Sequence, residues 1–145
     1  DGLGITADKQ RIQQAFLNLI KNAVEAIAEE GVIAVRARQH RAADKEREAY
    51  AGIYNYLKYR GKCTVEDDTV DIEIHDTGPG IPPEILPKVF DPFFTTKDAT
   101  KGTGLGLAVS YGIIKKHGGD ITVESTVGKG TRFVIWLPAG QGEVT

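Results

Sequence analysis

Residues 70–80 read Val70-Asp71-Ile72-Glu73-Ile74-His75-Asp76-Thr77-Gly78-Pro79-Gly80. Apolar Val70, Ile72 and Ile74 alternate with Asp71, Glu73 and His75, the two-residue period of a half-buried strand. His75 falls on the face expected to meet solvent. The strand runs into an aspartate followed by two glycines around a proline. That combination makes a tight loop carrying one fixed carboxylate, and a carboxylate there can accept from an exocyclic amino group such as that of adenine. Asp, Pro and Gly also favour turns for purely local reasons, so the loop alone does not decide between a site and a β-turn.

Upstream, Asp8 is a good N-cap for a helix expected over residues 8–30. Ile12, Phe16, Leu19, Ala23, Ala26 and Ile27 recur at three- and four-residue steps and form one buried stripe. Gly31 is expected to end that helix as a left-handed cap. Val32, Ile33 and Val35 lead into a first strand. Downstream, Pro83 suits the start of a short helix near 84–89. A second long helix is expected over 105–117, closed by Gly118-Gly119. Two strands follow, Ile121-Thr122-Val123 and Phe133 to Leu137, joined by Gly128-Lys129-Gly130 and stopped by Pro138. The order helix, strand, strand, helix, strand, strand predicts an α/β two-layer sandwich, a mixed β-sheet packed against about three helices. Strict β-α-β alternation, the mark of a doubly wound sheet, is missing. Residues 39–69 interrupt the rhythm with a charged, alanine-rich insertion holding four of the five tyrosines, Tyr50, Tyr54, Tyr56 and Tyr59. A surface helical insertion is the plainer reading; a docking surface is the other.

Composition narrows the function. The chain has 145 residues, and that size buries roughly 68–70% of its unfolded surface as one domain. Net charge is −2, which argues against holding nucleic acid by bulk electrostatics. The single cysteine, Cys63, excludes an internal disulfide framework and a cysteine metal cage. No apolar run spans a membrane. There is no methionine, so the sequence reads as a piece of a longer chain. Glycines number 17, and twelve of them lie from Gly78 onward, between apolar segments. They therefore read as turns and loops at defined points.

Asn18 and Asn22 stand four apart on the first helix, so both amides leave one face beside the apolar stripe. An amide oxygen suits a hard cation such as Mg²⁺ that shares its shell with phosphates and water; solvent-facing amides are the plainer alternative. Gly102-Thr103-Gly104-Leu105-Gly106-Leu107 opens a helix, where bare backbone amides and the dipole favour an anion. Leu107 occupies the place of a third glycine in the dinucleotide fingerprint, and no Gly-Lys-Ser/Thr sequence makes a P-loop. Lys97 and Lys101 precede this loop and can face phosphates or simply solvent. Phe90-Asp91-Pro92-Phe93-Phe94 reads as core or as the hinge of a lid. His40, His75 and His117 lack metal-ligand spacing, and Ser110 and Ser125 lack a nucleophile context.

Together, in this order, these segments resemble the boxes of the ATP-binding catalytic domain of sensor histidine kinases, whose fold is shared with gyrase, mismatch-repair and heat-shock chaperone ATPases. Asn18 to Ala23 looks like the asparagine box, Asp76 to Gly80 the first glycine box, Phe90 to Phe94 the phenylalanine box and Gly102 to Leu107 the second glycine box. Gly128 to Phe133, ending in Leu137-Pro138, is similar to the closing hairpin. The likeness covers about residues 8–38 and 70–138.

The resemblance implies one ATP-binding catalytic domain over 1–145, with 39–69 as a family-atypical insertion and 91–103 as the lid over ATP. It implies Asn22 as the Mg²⁺ ligand, Asn18 at the phosphates and Lys97 as a further catalytic group. Asp76 would accept from the adenine amino group, supported through water by Thr131. Lys21, Ala26, Gly78, Gly80, Ile81, Thr95, Thr96, Lys97, Gly102, Thr103, Gly104, Leu105, Gly106 and Leu107 complete the implied ATP contacts. Glu25 stands where many members carry a basic residue, so phosphate charge must be offset by Lys21 or Lys97.

The implied activity is transfer of the γ-phosphoryl of MgATP to a histidine on a separate dimerisation domain, as in two-component signal transduction. The implied partners are that domain and a response regulator, with no nucleic acid. The full-length protein would be a homodimer and this piece a monomer. The implied location is the cytoplasm, including the cytoplasmic part of a membrane-bound sensor. None of the three histidines has the helical setting of a phosphoacceptor. The alternatives are a gyrase- or chaperone-type ATPase clamp, an anti-sigma-type serine kinase, and a nucleotide module without catalysis. The hydrolytic clamps carry a glutamate one turn before the metal asparagine; Asn18 stands there.

Overall fold

The computed structural model describes residues 7–27, 29–40, 68–94 and 105–139. The elements are α1 (Lys9–Ala26), β1 (Ile33–His40), β2 (Thr69–Asp76), a 3₁₀ turn (Leu86–Lys88), α2 (Gly106–Lys116), β3 (Asp120–Thr126) and β4 (Gly130–Pro138). Most of the insertion, residues 41–67, lies outside the described residues.

Asp8 caps α1 as expected, its side chain accepting from the Arg11 amide at 3.3 Å. The buried stripe is Ile12, Ala15, Leu19 and Ala23, with Phe16 partly covered. The helix stops at Ala26 rather than near Glu30, and Ile27 is already extended. Gly31 is no left-handed cap. It is small because a Cβ there would lie 2.8 Å from the Ile27 side chain and 2.9 Å from Thr77 Oγ1. The second long helix runs close to the expected bounds. Its end is a Schellman turn: the Gly118 amide bonds Lys115 and the Gly119 amide bonds Ile114, both at 3.0 Å, with Gly118 at φ +77°. The helix predicted near 84–89 is only the 3₁₀ turn.

Strand order is β1-β2-β4-β3. The two-layer sandwich is as expected, but every ladder is antiparallel, so among the described residues the sheet is not mixed, and two α-helices cover it. The reason is where β4 goes. The α2 crossover joins β2 to β3 in parallel sense, but β4 enters between them and pairs antiparallel with both. The α-helices lie on the inner face over Ile74, Phe133, Val123, Ile135 and Ile121. Each such fully buried side chain contributes about 1.5–3 kcal/mol. Two polar contacts lock the helices together. Ser110 Oγ donates to the Ala15 carbonyl at 2.9 Å, wholly buried. His117 Nε2 accepts from the Asp8 amide at 3.0 Å while its Nδ1 lies 2.8 Å from the Ile113 carbonyl. That pair of partners requires the neutral ring with its proton on Nδ1.

The outer face departs from the expectation of a solvated side. Asp71, Glu73, Glu124 and Arg132 are all buried there, Arg132 to 1% exposure. Arg132 Nε bonds Glu73 at 2.9 Å and Nη1 bonds Glu124 at 3.3 Å. A buried charge of this kind survives only with its partners, and removing one costs about 3–5 kcal/mol. Trp136 lies in the same layer.

Two glycine substitutions separate space from flexibility. Gly112, mid-helix, has nothing near a would-be Cβ, so G112A should stabilise the fold by about 0.5–1 kcal/mol. At Gly119 a Cβ would strike the Trp136 carbonyl, so G119A should destabilise by about 1–3 kcal/mol. Urea midpoints check both. His75 supplies a pH test. Burial holds its pKa below the usual histidine value, against the raising influence of Glu73 and Asp76. The unfolded chain therefore takes up a proton first, and stability should fall as pH drops below about 6.5. H75Q should flatten that fall.

Candidate functional site

The register places three polar side chains in one row at the end of the inner face. Asp76 of β2 stands opposite Thr131 of β4, and Thr131 stands opposite Ser125 of β3. The preceding inner-face row, Ile74, Phe133 and Val123, is core. The sheet thus changes from oil to hydrogen-bonding groups within one pleat.

Asp76 is buried, and its Oδ1 accepts from the Gly78 amide at 2.8 Å. Burial pushes its carboxyl above the usual aspartate range, and the Gly78 amide, His75 and the Thr131 amide pull it back. Ionising Asp76 therefore opposes folding: its stabilising share is full below pH 3.8 and is lost as pH rises through the raised value. A buried carboxylate kept at such a cost, on the face that meets the helices, is a site candidate.

The loop after Asp76 is built for close approach. A Cβ on Gly78 would lie 2.9 Å from Asp76 Oδ1 and 3.1 Å from the Ala26 carbonyl. Gly80, at φ +78°, packs its Cα on the Thr126 backbone. Gly130, at φ +130°, brings the hairpin onto the Asp76 carbonyl. Thr77 Oγ1 accepts from the Val32 amide at 2.9 Å, and the Thr77 amide returns a bond to the Val32 carbonyl at 3.1 Å. The Ile81 amide donates to Ser125 Oγ at 2.7 Å.

The helices complete the arrangement. Asn18, Asn22 and Ala26 follow at four-residue steps and share one face of α1. Ala26 lies against Gly78, and Asn18 Nδ2 donates to the Gly106 carbonyl at 3.2 Å, at the start of α2. Eight residues of helix separate these ends by about 12 Å. One end holds the buried carboxylate. The other holds the first turn of α2, whose N-cap residue Leu105 makes no side-chain cap bond, and a helix N-terminus favours an anion. Asn22 lies between them, half-buried.

The structure thus brings together Asn18, Asn22, Ala26, Asp76, Gly78, Gly80, Ile81, Gly106 and Thr131, with Leu105 and Leu107 flanking Gly106. Lys21 points away, 4.0 Å from Glu25 on an exposed surface, an ion pair worth little. Thr95, Thr96, Lys97, Lys101, Gly102, Thr103 and Gly104 lie outside the described residues. Among Phe90 to Phe94, Phe90 is core-facing, stacked on Tyr111 at 5.2 Å and edge-on to Phe133 at 6.1 Å. Phe93 is 73% exposed with φ +67°, a strained setting for a bulky residue. Sequence reasoning missed Thr77 and Ser125. A hydroxyl beside a turn is too common to stand out; only the strand register identifies Ser125.

Comparison with known proteins gives the family and agrees with the fold. The profile of the histidine kinase-, DNA gyrase B-, and HSP90-like ATPase family matches residues 7–141. The sensor kinase CckA of Brucella abortus is 47% identical over 134 residues, which cover 92% of this chain and 13% of that protein. The sensor histidine kinase ZraS of Escherichia coli O157:H7 is 42% identical over 134 residues, 92% of this chain and 23% of that protein. This chain therefore spans less than a quarter of the length of these relatives. The solved catalytic domain of histidine kinase ThkA superposes with a TM-score of 0.64 at 34% identity, covering 92% of this chain and 70% of that one. Full-length ShkA in complex with AMPPNP gives 0.68 at 26% identity, over 97% of this chain and 24% of that one. The chain belongs to the histidine kinase-, DNA gyrase B- and HSP90-like ATPase family, as an ATP-binding catalytic domain of the sensor histidine kinase type.

Proposed function

We propose that this domain holds MgATP along α1 and donates the γ-phosphoryl to a histidine on a separate dimerisation domain of a longer, homodimeric protein, from which a response regulator then receives it. The observation that carries the reading is the polarity of the α1 face. Its base end meets a buried carboxylate, and its other end meets the start of α2 through Asn18.

In this reading Asp76 accepts from the adenine amino group, with Thr131 beside it. Gly78, Gly80, Ala26 and Ile81 flank the base. The amides of Leu105, Gly106 and Leu107 hold phosphate oxygens, together with Thr95, Thr96, Lys97, Gly102, Thr103 and Gly104. Residues 91–103 are the lid. The donor set suits Mg²⁺ held mainly by phosphate and water: Asn22 offers one neutral oxygen, and no cluster of His, Cys, Asp or Glu among the described residues forms a cage. Bound there, the ion offsets phosphate charge. The chain's own part is positioning and charge neutralisation. The only carboxylate on α1 is Glu25, which faces Lys21 rather than Asn18. The helix thus supplies no base to activate water, which favours transfer over hydrolysis. No helix among the described residues is long and apolar enough to cross a membrane. A cytoplasmic location belongs to the same proposal.

Mixing the chain with a histidine dimerisation domain and labelled ATP should give acid-labile, base-stable phosphate on that domain. Labelled serine, or multiple-turnover hydrolysis by the chain alone, would overturn the assignment. D76N should weaken ATP binding about tenfold or more, and N22A should remove the Mg²⁺ dependence of transfer. Because Asp76 titrates above the usual aspartate range, ATP affinity of the wild-type chain should begin to fall on acidification at a higher pH than a surface aspartate would dictate. Titrations across pH 4 to 7 check this, and D76N should lack the effect.

A further inference from the structure

Ser125 is buried at the end of the Asp76–Thr131–Ser125 row, and its hydrogen bonds leave it no spare capacity. A serine hydroxyl has one proton and two lone pairs. Ser125 Oγ accepts from the Ile81 amide at 2.7 Å. It lies 2.8 Å from the Gly130 carbonyl, which has no proton to give, so the Ser125 proton goes there. Thr131 Oγ1 stands 3.0 Å from the same oxygen. With the Ser125 proton already committed, Thr131 must be the donor of that contact. The Thr131 proton is therefore turned away toward β3, and only lone pairs remain for any other partner. Its neighbour across the ladder, Asp76, offers only acceptors when ionised.

We propose that Ser125 is a specificity-positioning residue: by fixing the direction of the Thr131 hydroxyl it makes the polar row present acceptors only, and so selects a 6-amino purine over a 6-oxo purine. The inference rests on the nucleotide reading above. An exocyclic amino group donates into such a row. A 6-oxo group brings a lone pair against lone pairs, and unmatched buried acceptors are penalised more heavily than a missing contact. Without Ser125, the Thr131 hydroxyl is free to rotate and donate, and the row loses its single polarity.

The test is the ratio of affinities for ATP and inosine triphosphate, which differ in the group at position 6 and in the proton the oxo form carries on N1. It is measured by calorimetric titration of the 145-residue chain and its S125A, T131V and S125A/T131V variants. The wild-type chain should prefer ATP, and S125A should cut the ratio by about tenfold. In the T131V background, where there is no hydroxyl to redirect, adding S125A should leave the ratio unchanged. A purely structural Ser125 would weaken both nucleotides together with the ratio intact, and that result overturns the proposal. A change of ratio in S125A that persists in the T131V background overturns it too. Should S125A fail to fold, S125C keeps the side-chain shape with a slightly larger, poorly hydrogen-bonding atom and must show the same fall. Failure of the wild-type chain to bind ATP would instead overturn the nucleotide reading itself, and the proposal with it.

Discussion

The insertion of β4 between β2 and β3 is the constraint on which the rest depends. Antiparallel pairing on both sides makes the register of β4 the register of the whole sheet. One residue of slip would move Thr131 to the outer face and Arg132 to the inner one. The slip would break the polar row, turn Phe133 out of the core and strand a guanidinium between Ile74 and Val123. The buried pairing of Arg132 with Glu73 and Glu124 thus opposes misregistration alongside the apolar rows. Whether that ion cluster adds net stability is secondary. Its geometry is satisfied at one register only.

Helix α1 serves both the core and the site, which restricts its sequence from two directions. Ile12, Ala15, Leu19 and Ala23 bury against the sheet and α2. Asn18, Asn22 and Ala26 sit one position to the side of that stripe. Asparagine is a poor helix former, and two of them on one face lower helix propensity. The helix tolerates this because its buried face, not its propensity, holds it in place. The same logic explains its early end. Continuing past Ala26 would carry the chain away from Gly78, whereas turning at Ile27 lets Val32 bond Thr77 and brace the loop.

Much of this was legible in the residues. The α1 stripe, the Asp8 cap, the strand over Val70 to Ile74 and the Gly118-Gly119 end of α2 each follow a local rule, and each stands in the structure. The main departures are non-local. The face of Asp71 and Glu73 reads as solvated because alternation cannot show that Arg132, 59 residues beyond Glu73, supplies a countercharge. The element order suggests a mixed sheet, but it does not say that the last strand enters between the two that α2 joins. Gly31 has the position of a C-cap, yet its smallness answers to Thr77 across the loop. In the site, Asp76 and the asparagines are visible because their types are costly where they stand. Ser125 is not, because serine is unremarkable in a strand until its three partners are known.

The glycines around the site illustrate why composition misleads about mobility. Glycine excess usually signals chain entropy and loose loops. Here Gly78, Gly80 and Gly130 occur where backbone must lie against Asp76, Ala26 or Thr126 with no room for a Cβ. Their effect is to tighten, since each lets a hydrogen-bonded segment close onto the next: Gly78 onto the Asp76 carboxylate, the Gly128 amide onto the Pro79 carbonyl at 2.8 Å, and Gly130 onto Ser125. A pocket meant to distinguish one edge of a base needs its acceptors held within a fraction of an ångström. The same residues that look like flexibility in the sequence are, in the fold, the means of that rigidity.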